Sequence, residues 1–129
     1  MQNIEKYQIG LLYLAYLLIS ADGVIDDREQ SALQRIKKDE NIPDQLFEDF
    51  KKQVAKLKER DIYQHGINLM DDCSDEQKLN AFVHLYKMSE ADGRVHVKEV
   101  RLLLYSIRQV GIEFDDVVRR ATQIKSGNG

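Results

Sequence analysis

Two nine-residue stretches carry the acids best spaced for chemistry. Ala21-Asp22-Gly23-Val24-Ile25-Asp26-Asp27-Arg28-Glu29 and Ala91-Asp92-Gly93-Arg94-Val95-His96-Val97-Lys98-Glu99 both read A-D-G-x-[I/V]-x-x-x-E, at an offset of 70 residues. An aspartate, a glycine turn, an aliphatic residue and a closing glutamate reproduce the second half of an EF-hand loop, where the two acids hold the same ion. Asp22 with Glu29, and Asp92 with Glu99, are therefore candidate ligands for a hard divalent cation such as Ca²⁺, Mg²⁺ or Mn²⁺. Asp26 offers a third oxygen in the first copy, and water would complete the shell. In the second copy Arg94 and Lys98 dilute the negative field, so the first site is expected to be the stronger. The first half of an EF-hand is missing, because Leu18 or Met88 stands where its leading acid should be. A conventional calcium sensor is thereby excluded.

The same residues also suit ordinary local roles. Gly23 and Gly93 can stop helices, and Asp22 and Asp92 can close Asx turns. Asp26 and Glu29 have capping-box spacing, and a glutamate at a helix N-terminus is favoured by the dipole. Both readings stand at this point. The remaining candidates are bland. His65, His84 and His96 share no ligand spacing, and each reads as a lone histidine at a helix surface or core edge. Cys73, the single cysteine, reads as a small half-buried residue near a helix start; it excludes an internal disulfide and suits a reducing compartment. No P-loop, nucleophile elbow or zinc signature is present. Without a nucleophile–base pair beside the acids, no catalytic residue is expected. Metal-assisted hydrolysis by the clustered carboxylates is the enzymatic alternative.

The elements that must hold these loops read as helices throughout. Ile4, Tyr7, Leu11, Leu14 and Leu18 recur at steps of three and four, with Leu12, Ala15 and Ile19 widening the stripe, so a first helix over Asn3–Ser20 should be buried on most sides. A second helix follows Asp26, with Ala32, Leu33 and Ile36 on its inner side, and Pro43 ends its neighbourhood. A third carries Leu46, Phe47, Phe50, Val54 and Leu57. A fourth carries Ile62, Tyr63, Ile67 and Met70, and its Gly66 predicts a close helix contact. Ser74 and Gln77 form a capping box that opens a fifth helix, with Leu79, Phe82, Val83 and Tyr86 as its stripe. The sixth has Val100, Leu103, Leu104 and Ile107 and stops at Gly111. The seventh has Phe114, Val117, Val118, Ala121 and Ile124, before a tail over residues 126–129. No period-two alternation predicts a sheet.

Composition agrees. The 129 residues amount to one domain, residues 1–125, with 43% hydrophobic and 32% charged residues and one proline. A net charge of -3 argues against nucleic acid. The most apolar stretch, Leu11–Ile19, is too short to span a bilayer, which needs ~20 residues, and the N-terminus lacks a signal-peptide pattern. A cytoplasmic protein without membrane insertion is expected. The lysines at 37–38, 51–52, 56 and 58 read as solvated helix faces that together make one basic side. Tyr13, Tyr16, Phe47 and Tyr105 are candidate exposed anchors for a partner, although burial in the core is the stronger reading of any one of them.

Aligning 11–43 with 81–113 gives 7 identities in 33 positions, among them Tyr16/Tyr86, Leu33/Leu103 and Ile42/Ile112. Four of the seven lie inside the nine-residue motif, which argues for a duplicated helix–loop–helix unit. A helix ending in A-D-G, an aliphatic two residues on, and a glutamate opening the next helix resembles the tellurite-resistance TerB family; the N-terminal domains of membrane-anchored DnaJ-like chaperones are similar. His96 departs from the pattern, standing where a Ser or Asp cap is usual. The resemblance covers the whole chain and implies an all-α bundle of about seven helices with a pseudo-twofold duplication. It implies a role in bacterial stress or tellurite resistance, a protein partner that includes membrane-associated candidates, and a divalent cation at Asp22, Asp26, Glu29, Asp92 and Glu99. A homodimer, or a purely structural oligomerisation domain, is a further alternative.

Overall fold

The computed structural model describes the backbone of residues 3–19, 27–91 and 105–127. Its elements are α1 (Asn3–Ile19), α2 (Asp27–Asp39), α3 (Asp44–Lys56), α4 (Glu59–Asp71), α5 (Asp75–Ala91), α6 (helical over 105–109) and α7 (Phe114–Gly127). Among the described residues there is no strand. Helix α7 continues to Gly127, past the expected start of the tail at Ser126.

The apolar width of α1 dictates the architecture. Five consecutive residues, Leu11 to Ala15, are buried, so no side of this stretch faces water. Helix α1 accordingly packs against α2, α3, α4 and α5, most extensively against α4, while α7 packs on α5. Each large aliphatic side chain so enclosed contributes roughly 1.5–3 kcal/mol. Ile4, on the same expected stripe, lies 48% exposed, beyond the reach of the neighbouring helices.

Glycine sets the α1–α4 spacing. A Cβ on Gly66 would meet Leu14 Cδ2 at 3.1 Å and Tyr13 Cβ at 3.2 Å; one on Gly10 would meet Leu69 Cβ at 3.3 Å and the Gly66 carbonyl oxygen at 3.4 Å. The two glycines thus face each other at the crossing. The same crossing buries Tyr13, which packs on Phe50 and His65 with ring centroids 5.7 and 6.2 Å away. Phe47 is buried too, against Phe50 at 5.9 Å, with Lys37 and Lys51 flanking its ring. Of the two readings open for these aromatics, the core reading holds and the exposed-anchor reading does not. Tyr16 is half-buried, and Tyr105 is 56% exposed beside Tyr63.

The capping box at α5 is formed as the sequence suggests. The Gln77 amide donates to Ser74 Oγ at 3.2 Å, and the Ser74 amide donates to Gln77 Oε1 at 3.1 Å. Ser74→Ala should lower stability by about 1 kcal/mol, measured by urea denaturation, because one of the first-turn amides loses its acceptor. Just before it, the Cys73 thiol is buried more deeply than expected and donates to the Leu69 carbonyl at 3.3 Å; burial raises its pKa, which suits a packing role.

Candidate functional site

Of the five candidate metal ligands, Asp22, Asp26, Asp92 and Glu99 lie outside the described residues, as does the side chain of Glu29. What is described is the frame around them. Helix α1 stops at Ile19 and α2 starts at Asp27, so residues 21–26 of the first motif fall between the two and Asp27–Glu29 open α2; α5 stops at Ala91, at the start of the second motif. Glu29 is the third residue of α2, the position from which a capping-box acid reaches back. His96 also lies outside the described residues.

Downstream of each motif the backbone can be compared directly. After α2, Asn41 adopts a left-handed φ of 53°; its amide donates to the Lys38 carbonyl and the Ile42 amide to the Lys37 carbonyl. After α6, Gly111 adopts φ 78°; its amide donates to the Arg108 carbonyl and the Ile112 amide to the Ile107 carbonyl. Both are Schellman caps, in which the residue with positive φ closes the helix and the next is apolar. They stand 70 residues apart, as do the starts of α3 and α7 at Asp44 and Phe114. The A-D-G turns themselves lie outside the described residues.

One polar cluster is built into the core edge at the first of these caps. His84 of α5 meets Glu40 with Nε2 and Oε1 2.8 Å apart, the side chains being 22% and 19% exposed. Gln8 of α1 donates from Nε2 to the Glu40 carbonyl at 3.0 Å. The bond to His84 holds the Glu40 carboxyl below its usual pKa, against the opposing effect of burial. The buried hydroxyl of Tyr7 sits by the same carboxylate, and burial together with the charge of Glu40 raises its pKa. This cluster clamps the end of α2 onto α1 and α5. His84 is therefore not a lone histidine. Its partner lies 44 residues away, with no local spacing to reveal it.

The cluster makes a pH-dependent contribution with a definite sign. The folded pKa of Glu40 is depressed, so its stabilisation is fully present above the ordinary carboxylate value and is lost as pH falls through the folded value. His84→Ala is expected to cost about 1.5 kcal/mol at neutral pH. Urea denaturation in steps down the acid range should show the gap between wild type and variant closing.

A second feature is a groove of about 260 Å³ between α1, α2 and α3. Tyr16, Leu33, Phe47, Phe50 and Val54 form its floor and walls, and Gln34, Lys51 and Ala55 its rim. On α3 the lining positions 47, 50, 51, 54 and 55 are one helical stripe. Among the described residues no group of three or more His, Cys, Asp or Glu could hold a metal ion, and no helix is long and apolar enough to cross a membrane.

Neither the curated proteins nor the solved structures include a match to this chain. The family model of tellurite resistance protein TerB matches residues 8–122, a span that contains most of α1, both A-D-G motifs and most of α7. The chain belongs to the TerB family.

Proposed function

We propose that the chain is a non-catalytic binding module of a bacterial stress or tellurite-resistance response. In this reading Asp22, Asp26 and Glu29 hold a divalent cation, Asp92 and Glu99 hold a second one more weakly, and the helical body engages a protein partner. The observation that carries the reading is the TerB match over 8–122, which takes in both acidic motifs. Support comes from the shared half-EF-hand spacing and from the matched helix caps 70 residues apart, which fit a duplicated unit. A hard cation prefers oxygen ligands of this kind, and carboxylates on a glycine turn supply them without a long loop. Nothing beside the acids in sequence offers a nucleophile with its base, so the cation would act as a structural or sensing ligand.

Calorimetric titration with Ca²⁺, Mg²⁺ and Mn²⁺ tests this. At least one ion should bind, Asp22→Ala with Glu29→Ala should weaken binding tenfold or more, and Asp92→Ala with Glu99→Ala should weaken it less. No heat with any of the three at millimolar concentration would leave these acids with helix-capping roles alone.

A further inference from the structure

The groove between α1, α2 and α3 is apolar within and cationic around its edge. Its rim residue Lys51 pairs with Glu48 at 2.9 Å and lies 5.3 Å from the Phe47 ring centroid. From the other side Lys37 of α2 lies 5.8 Å from the same ring and pairs with Asp44. Lys38, four residues beyond the rim residue Gln34, and Lys52, beside Lys51, are exposed and have no ion-pair partner among the described residues. Four lysines thus meet two acids at this edge, in a chain whose net charge is -3. The last turn of α2 and the middle of α3 together assemble this island. The floor beneath it is made of aromatic and aliphatic side chains, of which Leu33, Phe47, Phe50 and Val54 are buried.

We propose that this groove receives an acidic amphipathic helix from a partner protein. One large apolar side chain of that helix seats against Phe47, Phe50 and Val54, and its acids lie over Lys38, Lys51 and Lys52. The volume suits one or two apolar side chains and not a whole helix, so the rest of the partner rests on the rim. That division of labour is common for helices laid into grooves, where a few anchors at helical spacing carry affinity. The charges would speed encounter and reject basic partners, and their effect should fade with salt. This rests on the interaction module proposed above and names the chemistry of its partner, and it uses none of the acidic-motif residues.

Fluorescence anisotropy on the full chain tests it. The probe is a labelled 18-residue helical peptide with Leu and Phe along one face and Glu along the other. Two controls accompany it, a scrambled peptide of the same composition and a peptide with Lys in place of Glu. The acidic amphipathic peptide should bind with micromolar affinity, and raising the salt should weaken it. Lys51→Glu with Lys52→Glu should reduce affinity at least tenfold, and so should Ala55→Trp, which fills the groove from an exposed position. Circular dichroism of these surface variants shows whether they keep the fold. Absence of binding, equal binding of the scrambled peptide, or binding indifferent to all three substitutions would overturn the proposal. Lysine-sensitive binding to vesicles of anionic phospholipid, with none to the peptide, would also overturn it. Metal titration reads the acidic motifs independently, so failure of either reading leaves the other standing.

Discussion

Phe82→Ala is expected to cost about 3–5 kcal/mol, the largest loss of any single substitution considered. Phe82 sits on α5, 0% exposed, among the largest fully enclosed side chains of the chain. Truncation forfeits the transfer energy of the ring and leaves a cavity in the core. A domain of this size is stable by only ~5–15 kcal/mol, so the variant would be marginal. Phe114→Ala supplies the control. Phe114 is 36% exposed and touches Tyr86 edge-on at 6.0 Å, and its loss should cost roughly 1 kcal/mol. Urea denaturation of both variants, read as midpoint shifts at constant slope, checks the ranking.

Gly66→Leu should cost about 3 kcal/mol, near the upper end for an overpacked interface. The sign is informative, because leucine is the better helix former by roughly 1 kcal/mol and an isolated α4 would gain from the change. The bare Cβ would already press on Leu14 at 3.1 Å and Tyr13 at 3.2 Å, and the further carbons of leucine have no space short of separating α1 from α4. Gly66→Ala should lie within about 1 kcal/mol of wild type, since the helix gain offsets the small shift of Leu14 and Tyr13 that one Cβ requires. Thermal denaturation would separate the two variants. A leucine variant as stable as the parent would mean that α1 and α4 do not approach as described.

Local rules read well from the sequence. The stripe Tyr7, Leu11, Leu14, Leu18 is buried as its period requires, because four neighbours surround α1 and little depends on which faces which. Ser74 and Gln77 bond as their spacing demands, since a capping box involves four residues of one chain segment. Gly66 marked a helix contact because glycine inside a helix is otherwise a cost. What local rules left open was anything decided by how helices meet. Tyr13 and Phe47 lie where an amphipathic pattern permits either core or surface, and the junction with Phe50 settles both as core. The pairing of Glu40 with His84 depends on α2 ending beside α5, which no spacing encodes. Asn41 takes the left-handed φ that Gly111 takes at the matching position, and an asparagine there gives a weaker stop signal than glycine. The acidic motifs were the most legible chemistry in the chain, and all but the backbone of Asp27, Arg28, Glu29 and Ala91 lies outside the described residues.

On the reading proposed above, two copies of one acidic turn bind a divalent cation on a TerB helical frame. Mn²⁺ titration followed by ¹H–¹⁵N correlation NMR tests it most directly, because the paramagnetic ion broadens only amides close to where it binds. Substoichiometric Mn²⁺ should erase signals of residues 20–29 first and of residues 92–99 next, Asp22→Ala with Glu29→Ala should abolish the first set, and excess Mg²⁺ should restore them if the sites share hard-cation chemistry. Uniform, weak broadening over every exposed carboxylate, or selective loss elsewhere in the chain, would contradict the claim.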